Sequence, residues 1–169
     1  ANNSVWYTEK PDMHIFMKEW MSLYESKSGE RGIYNNEAAN KLLPLRREAL
    51  GHTKFGCNPC SEIVLRDTGQ FCNLSEVVIR STDTMIDLLD KIRIATIIGT
   101  LQSTRTNFRY LRKQWQRNCE EERLLGVSLT GIMDHPVMNG SQGEELLIRW
   151  LDGLKREAYD VNMEWSERL

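Results

Sequence analysis

Asn58, Cys60 and Glu62 stand at alternating positions in the run Asn58-Pro59-Cys60-Ser61-Glu62, and another thiol follows in Phe71-Cys72-Asn73-Leu74. An amide, a thiol and a carboxylate in that order suit redox chemistry on a hydroxylated substrate. Pro59 pushes Asn58 toward an extended backbone, and in an extended segment residues two apart point the same way. Asn58, Cys60 and Glu62 are then expected on one face. At roughly 3.3 Å per residue, the thiol and the carboxylate stand about 7 Å apart, a gap that one sugar ring with its hydroxyls spans.

The same residues admit a second chemistry. Cys57-Asn58-Pro59-Cys60 is a Cys-x-x-Cys, and with His52 upstream and Cys72 downstream it makes a three-cysteine, one-histidine set of the kind that holds tetrahedral zinc. That reading gives a zinc-stabilised, non-catalytic binding module, and metal analysis of the purified chain separates it from the redox reading. Cys57 is otherwise a structural thiol, and Cys119 a half-buried small residue. Arg105, Arg109, Arg112, Lys113, Arg117 and Arg123 are interleaved with Phe108, Tyr110 and Trp115, which is also a pattern of nucleic-acid surfaces. With Glu120, Glu121 and Glu122 adjacent, a solvated face explains these charges better than direct nucleic-acid binding. His14 and His135 have no nucleophile or carboxylate at a motif spacing and are expected at the surface or an interface.

The elements that must position these groups follow from periodicity. Val5, Trp6 and Tyr7 suggest a short strand. Pro11 and Asp12 fit the first turn of a helix running to about Lys27, with Ile15, Phe16, Trp20, Leu23 and Tyr24 as its buried stripe. The run Ser28-Gly29-Glu30-Arg31-Gly32 breaks that pattern. Asn35 or Asn36 caps a shorter helix through Ala38, Ala39 and Leu42 that Pro44 bends or ends. Glu62 to Arg66 and Gln70 to Arg80, around Asp67-Thr68-Gly69, have the composition of a hairpin with a three-residue loop. From Thr82 the period lengthens, and Met85, Ile86, Leu88, Leu89, Ile92, Ala95, Ile97, Ile98 and Leu101 describe a buried helix. Leu124, Leu125, Val127, Leu129 and Ile132 read as a second helical stretch. Ser141 with Glu144 forms a capping box before a last helix, whose inner side carries Leu146, Leu147, Trp150, Leu151, Leu154, Ala158, Val161 and Trp165. Trp20, Trp150 and Trp165 are expected in the core. Short strands among long helices point to part of an α/β architecture.

A regular hairpin centred on Thr68 sets Cys72 opposite Val64, on the face of Cys60 but four residues along, roughly 13 Å away. Any direct cooperation of the two thiols would require the loop before Glu62 to curl back, and an irregular finger is expected there instead of a straight strand.

Bulk properties narrow the classes. A chain of 169 residues with 40% hydrophobic and 27% charged residues can bury one core. Its apolar runs are too short for a membrane span, and no secretory pattern opens it, so the cytoplasm is the expected compartment. A formal charge of -2 speaks against a general basic surface for nucleic acid. Four unevenly spaced cysteines fit metal or redox chemistry better than a disulfide framework. The chain opens on Ala1 and closes at Leu169 with a helical pattern still running, and it reads as a fragment or one part of a split protein.

Phe55-Gly56-Cys57-Asn58-Pro59-Cys60-Ser61-Glu62-Ile63 and Gly69-Gln70-Phe71-Cys72-Asn73-Leu74-Ser75-Glu76-Val77 resemble the finger-loop region of ribonucleotide reductase catalytic chains. Asn2-Asn3-Ser4-Val5, Glu9-Lys10-Pro11-Asp12, the run from Tyr24 to Gly32, and the run from Arg123 to Gly131 are similar to the same family, so the resemblance covers nearly all of the chain. The short interval from Cys60 to Cys72, with Asn107-Phe108-Arg109-Tyr110-Leu111-Arg112, resembles most the adenosylcobalamin-dependent, monomeric, triphosphate-reducing branch. The resemblance implies a segment of a ten-stranded α/β barrel, residues 1–169, with long helices and a central finger loop at about 55–75. It implies Cys60 as the thiyl-radical residue that removes hydrogen from C3′ of the ribose, and Glu62 as general base on the 3′-hydroxyl. Asn58 and Ser61 contact substrate by the same resemblance. Cys72 is half of a redox-active dithiol whose other half lies upstream of Ala1. Implied partners are a ribonucleoside tri- or diphosphate, the remaining parts of the reductase and a thioredoxin-like reductant. Adenosylcobalamin is expected to bind largely outside this segment, with no metal within it, and the segment alone is expected to be inactive.

Overall fold

The computed structural model describes residues 4–28, 32–49, 55–66 and 68–169. Gly29, Glu30, Arg31, His52 and Asp67, all used above, lie outside the described residues. The chain is mixed α/β and forms two compact units, Ala1–Gln70 and Phe71–Leu169. Its described strands make three two-stranded sheets, and no closed barrel is present among the described residues.

In the first unit, β1 (Val5–Tyr7) leads into α1 (Met13–Ser26), and β2 (Ile33–Asn35) returns to pair with β1 in parallel, Val5 opposite Ile33. The Asp12 side chain caps α1 by accepting from the backbone N–H of His14 at 2.8 Å, and α1 ends at Lys27 in a left-handed conformation. The expected stripe is not buried. Ile15, Trp20 and Tyr24 are exposed, and no residue of α1 is fully covered, because the described residues of this unit supply no apolar layer against that face. Asn35 caps α2 (Asn36–Lys41) by accepting from Ala38 N–H at 2.9 Å. A helix that the apolar pattern missed, α3 (Leu45–Ala49), follows Pro44. Its Arg47 is buried, lies over the Phe55 ring at 4.4 Å and donates to the Val64 carbonyl at 2.9 Å. That cation clamps β3 (Phe55–Cys57) to β4 (Val64–Arg66), which pair antiparallel with Cys57 opposite Val64.

The expected hairpin is therefore re-paired. Val64–Arg66 finds β3, while the strand after Gln70, β5 (Asn73–Val78), pairs in parallel with β6 (Leu125–Thr130) in the second unit, Asn73 opposite Leu125. β6 also replaces the helix expected around Leu124 to Ile132. Leu125, Val127 and Leu129 alternate, and β5 offers them a parallel partner. The estimate of 13 Å between Cys60 and Cys72 rested on the hairpin and falls with it.

Between β5 and β6 run α4 (Met85–Ser103) and α5 (Lys113–Glu122), giving a β-α-β crossover. α4 starts at a capping box: Thr84 Oγ1 accepts from Asp87 N–H at 3.2 Å, and Asp87 accepts from Thr84 N–H at 2.7 Å. The core joins Val77 and Ile79 to Leu88, Ile92 and Ala95 of α4, Met138, and Leu154 of α6 (Glu144–Ser166). The opposite side of α4 leaves Ile86, Ile94 and Ile98 exposed, so this helix is covered on one side only. Along α6 the expected inner stripe is right, Leu151 apart, which is exposed. Its expected cap is not formed: Gly143 occupies the N-cap, and Ser141 Oγ donates to the Pro136 carbonyl at 2.8 Å.

His135 is buried, contrary to the expectation for a surface position. Its Nδ1 lies 3.2 Å from the backbone N–H groups of both Val137 and Met138, so that nitrogen accepts and Nε2 donates to the Asp83 carbonyl at 2.9 Å. The ring packs on Trp150, 5.2 Å between centroids. The Asp83 carboxylate in turn binds Lys91 Nζ at 2.5 Å and Arg80 N–H at 2.8 Å. The Lys91 hydrogen bond, aided by that of Arg80, holds the Asp83 carboxyl below its ordinary value of 3.8. A lowered carboxyl contributes stability that is present above its unfolded pKa and is lost as pH falls through the folded one. The urea midpoint of the chain is expected to decline as pH drops below 3.8, and Asp83→Asn to decline less steeply; identical pH profiles would refute this.

Candidate functional site

Cys57 ends β3 and Val64 begins β4, so the residues between them form a closed loop. Asn58 holds it with four hydrogen bonds. Its N–H donates to the Ile63 carbonyl at 3.1 Å, and its carbonyl accepts from Ser61 N–H at 3.0 Å. Its side-chain Oδ1 accepts from Ile63 N–H at 3.0 Å, and Nδ2 donates to Glu62 Oε1 at 2.6 Å. The carbonyl bond makes Asn58 to Ser61 a β-turn with Pro59 at its second position, where proline's fixed φ is preorganised. Ser61 then takes the left-handed conformation, φ 66°, which reverses the chain toward Glu62.

This corrects the extended-face reading. Asn58, Cys60 and Glu62 do not alternate along a straight strand; they sit on a turn, and the amide meets the carboxylate directly. The irregular finger anticipated from the need to curl back is the form observed. Cys60 is exposed at its tip. The Cys57 thiol points at the Ser61 hydroxyl at 3.7 Å, so Ser61 is tied to the base of the loop as well as to its turn.

One neighbour was invisible in the sequence. Burial pushes the Tyr34 hydroxyl above its ordinary range, and the adjacent Cys57 thiol raises it further. Tyr34 comes from β2, and its ring meets Trp6 edge-on at 6.3 Å. The Trp6 indole lies so close over Gly56 that a Cβ there would stand 3.0 Å from it. Only the parallel pairing of β1 and β2 brings these aromatics to the foot of the loop, and no local spacing announces it.

Cys72 belongs to the second unit, immediately before β5, and is half-buried with Sγ 3.8 Å from the Asn73 carbonyl. Phe71 beside it packs against Phe108 at 5.1 Å and Trp115 at 4.8 Å between ring centroids. Its N–H donates to Cys119 Sγ at 3.3 Å. Cys119 is fully buried, deeper than the sequence suggested. Asn73 anchors the strand start by donating from Nδ2 to the Leu124 carbonyl at 3.0 Å.

Of the proposed zinc set, His52 lies outside the described residues and Cys72 is in the other unit. Among the described residues no three His, Cys, Asp or Glu side chains are placed to share a metal ion. No described helix is long and apolar enough to cross a membrane.

A family model described as "Ribonucleotide reductase, barrel domain" matches residues 2–142. No curated protein matches, and no solved structure does.

Proposed function

The chain belongs to the ribonucleotide reductase barrel-domain family, and from that membership we propose that it is a segment of the catalytic chain carrying the radical thiol, its base and one redox thiol. The observation that carries the reading is the loop itself: an exposed Cys60 thiol on the turn that brings the Asn58 amide to the Glu62 carboxylate at 2.6 Å. A residue that must reach a sugar hydrogen has to be uncovered, and a base that must take one proton has to be held.

In this reading Cys60, oxidised by one electron, takes the hydrogen atom from C3′ of the ribose. Glu62 accepts the 3′-hydroxyl proton as the 2′-hydroxyl, protonated by a thiol of the Cys72 pair, leaves as water, which stabilises the sugar radical. Asn58 and Ser61 set the turn and offer the sugar hydroxyls further polar contacts, so that reacting atoms meet in a fixed geometry. Cys72 and a partner thiol give two electrons and become a disulfide, and the C3′ hydrogen returns from Cys60. The exposed Cys60 fits a radical source that approaches from outside these residues. Adenosylcobalamin, when bound, supplies that one-electron oxidation. We place the segment in a ten-stranded barrel of the triphosphate-reducing branch, working in the cytoplasm with a thioredoxin-type reductant.

Glu62→Gln tests the base. The amide keeps the shape of the side chain but takes no proton, so nucleotide reduction by the reassembled enzyme is expected to fall by about a hundredfold or more. An unchanged rate would end the assignment of Glu62.

A further inference from the structure

Cys72 stands one residue before β5, outside the ladder that β5 makes with β6, at the kind of strand end that opens first when a structure breathes. A thiol that must meet both a sugar and a second sulfur cannot drift. Its Sγ touches the Asn73 carbonyl at 3.8 Å, a weak contact, and β6 sets Gly126 nearby, where even an added Cβ would stand 3.9 Å from the sulfur. Firmer restraint reaches Cys72 through the residues on either side of it. Asn73 gives the Leu124 carbonyl two hydrogen bonds, from its backbone N–H at 3.1 Å and from Nδ2 at 3.0 Å. That pins the chain after the thiol.

Before the thiol, Phe71 belongs to no strand, and its place is set from α5 and the approach to it. Its N–H donates to Cys119 Sγ at 3.3 Å, and its ring meets Phe108 edge-on at 5.1 Å and Trp115 at 4.8 Å, separations at which aromatic pairs attract. Core packing does not account for this arrangement. Phe71 is 42% exposed, and neither it nor Phe108, Trp115 or Cys119 belongs to the core built on Val77, Leu88, Ile92 and Leu154. α5 buries Asn118, Cys119 and Glu122 and no large apolar side chain. What it gives to the start of β5 is a seat for Phe71.

We propose that Phe71 is the positioning residue for Cys72: gripped by Phe108, Trp115 and Cys119, it fixes the backbone from which the thiol is presented to the sugar and to its partner sulfur. The inference rests on the reading of Cys72 as a redox thiol. Phe71 touches no reacting atom and acts only through the residue that follows it. Its contribution belongs to the step in which Cys72 must stand at a set distance, not to the binding of nucleotide, so loosening the clasp lowers kcat and leaves KM.

The test compares, in the reassembled reductase, Phe71→Leu, which keeps an apolar side chain without the ring, and Phe71→Tyr, which keeps the ring and turns its hydroxyl to the solvent Phe71 already meets. Phe71→Leu is expected to lower kcat about tenfold while KM for the nucleotide changes by less than about twofold, and Phe71→Tyr to stay within about twofold of the parent in both. A second measurement needs no turnover. In the 169-residue chain with Cys57→Ser and Cys60→Ser, alkylation of the half-buried Cys72 by iodoacetamide, followed by peptide mass, is expected to quicken about fivefold with Phe71→Leu. Full kcat in Phe71→Leu, equal losses in the Leu and Tyr variants, or a KM that rises as kcat falls would overturn the positioning role. So would an unchanged alkylation rate, which would show Cys72 held by other means. Should Phe71→Leu not fold, Trp115→Leu loosens the same clasp from its other side and carries both measurements with the same outcomes. The underlying reading fails by a different result: repeated turnover by a reassembled reductase carrying Cys72→Ser, a change that leaves the clasp in place.

Discussion

Cys60→Ala, placed in the reassembled reductase, is expected to remove nucleotide reduction by at least about a thousandfold while leaving the chain folded. The two halves of that expectation come from separate observations. Loss of activity follows from chemistry: a methyl group cannot be oxidised to a radical that takes hydrogen from carbon. Retention of the fold follows from the loop, whose closure depends on the four hydrogen bonds of Asn58 and none from the Cys60 side chain. Cys60 is exposed, so its truncation opens no cavity. Circular dichroism and urea melting should superimpose on the parent. Sustained turnover by the alanine variant would sink the radical assignment, and a lost fold would show that the loop is held by contacts other than those of Asn58.

The largest effect on stability is expected far from that thiol. Gly131 ends β6 at φ 75°, a conformation that disfavours any side chain, and a Cβ there would stand 2.3 Å from the Ile79 carbonyl oxygen. That oxygen cannot easily withdraw. Ile79 is buried, and its N–H donates to the Thr130 carbonyl at 2.9 Å, which fixes the crossing of the two chains. Gly131→Ala must therefore move one strand end out of the core, at a cost of about 3 kcal/mol. Urea unfolding measures it directly, and a loss below about 1 kcal/mol would mean that the strand end yields without strain. Because Gly131 is remote in sequence from the loop of Cys60, the two substitutions separate folding from chemistry.

Which parts were legible depends on how local their causes are. β1, α1, α2 and α6 follow from short-range signals: a proline and a cap at Asp12, Asn35 before its helix, and the long apolar stripe from Leu146 to Trp165. The finger loop was legible for the same reason, since Asn58, Pro59 and Ser61 make their turn with one another. The candidate residues were thus singled out while their geometry was misjudged: alternation argues for an extended face only if the backbone stays extended, and here a proline turn intervenes. β6 was misread because Leu124 and Ile132 completed a helical period around a run whose alternation alone fits a strand; a parallel neighbour decided between them. α5 was passed over because the residues it buries are Asn118, Cys119 and Glu122, which carry almost no apolar signal. Tyr34 beside Cys57, and Cys119 beside Phe71, are meetings of distant segments, and His135 owes its burial to a carbonyl 52 positions upstream.

The small parallel sheet of β5 and β6 has no third strand on either side among the described residues, and Ile94 and Ile98 of α4 stand uncovered above it. Such an edge does not distinguish one suitable strand from another except by order of arrival. During synthesis the fate of this unit becomes a race. In the proposed barrel, neighbouring strands tethered in the same assembly would reach the edge at high effective concentration, whereas another copy of the unit must arrive by diffusion. Dilution and prompt supply of those strands favour the reductase, and crowding of the segment by itself favours self-association. The open edge that would let the sheet join a larger one is thus also the edge through which two copies of the unit would meet.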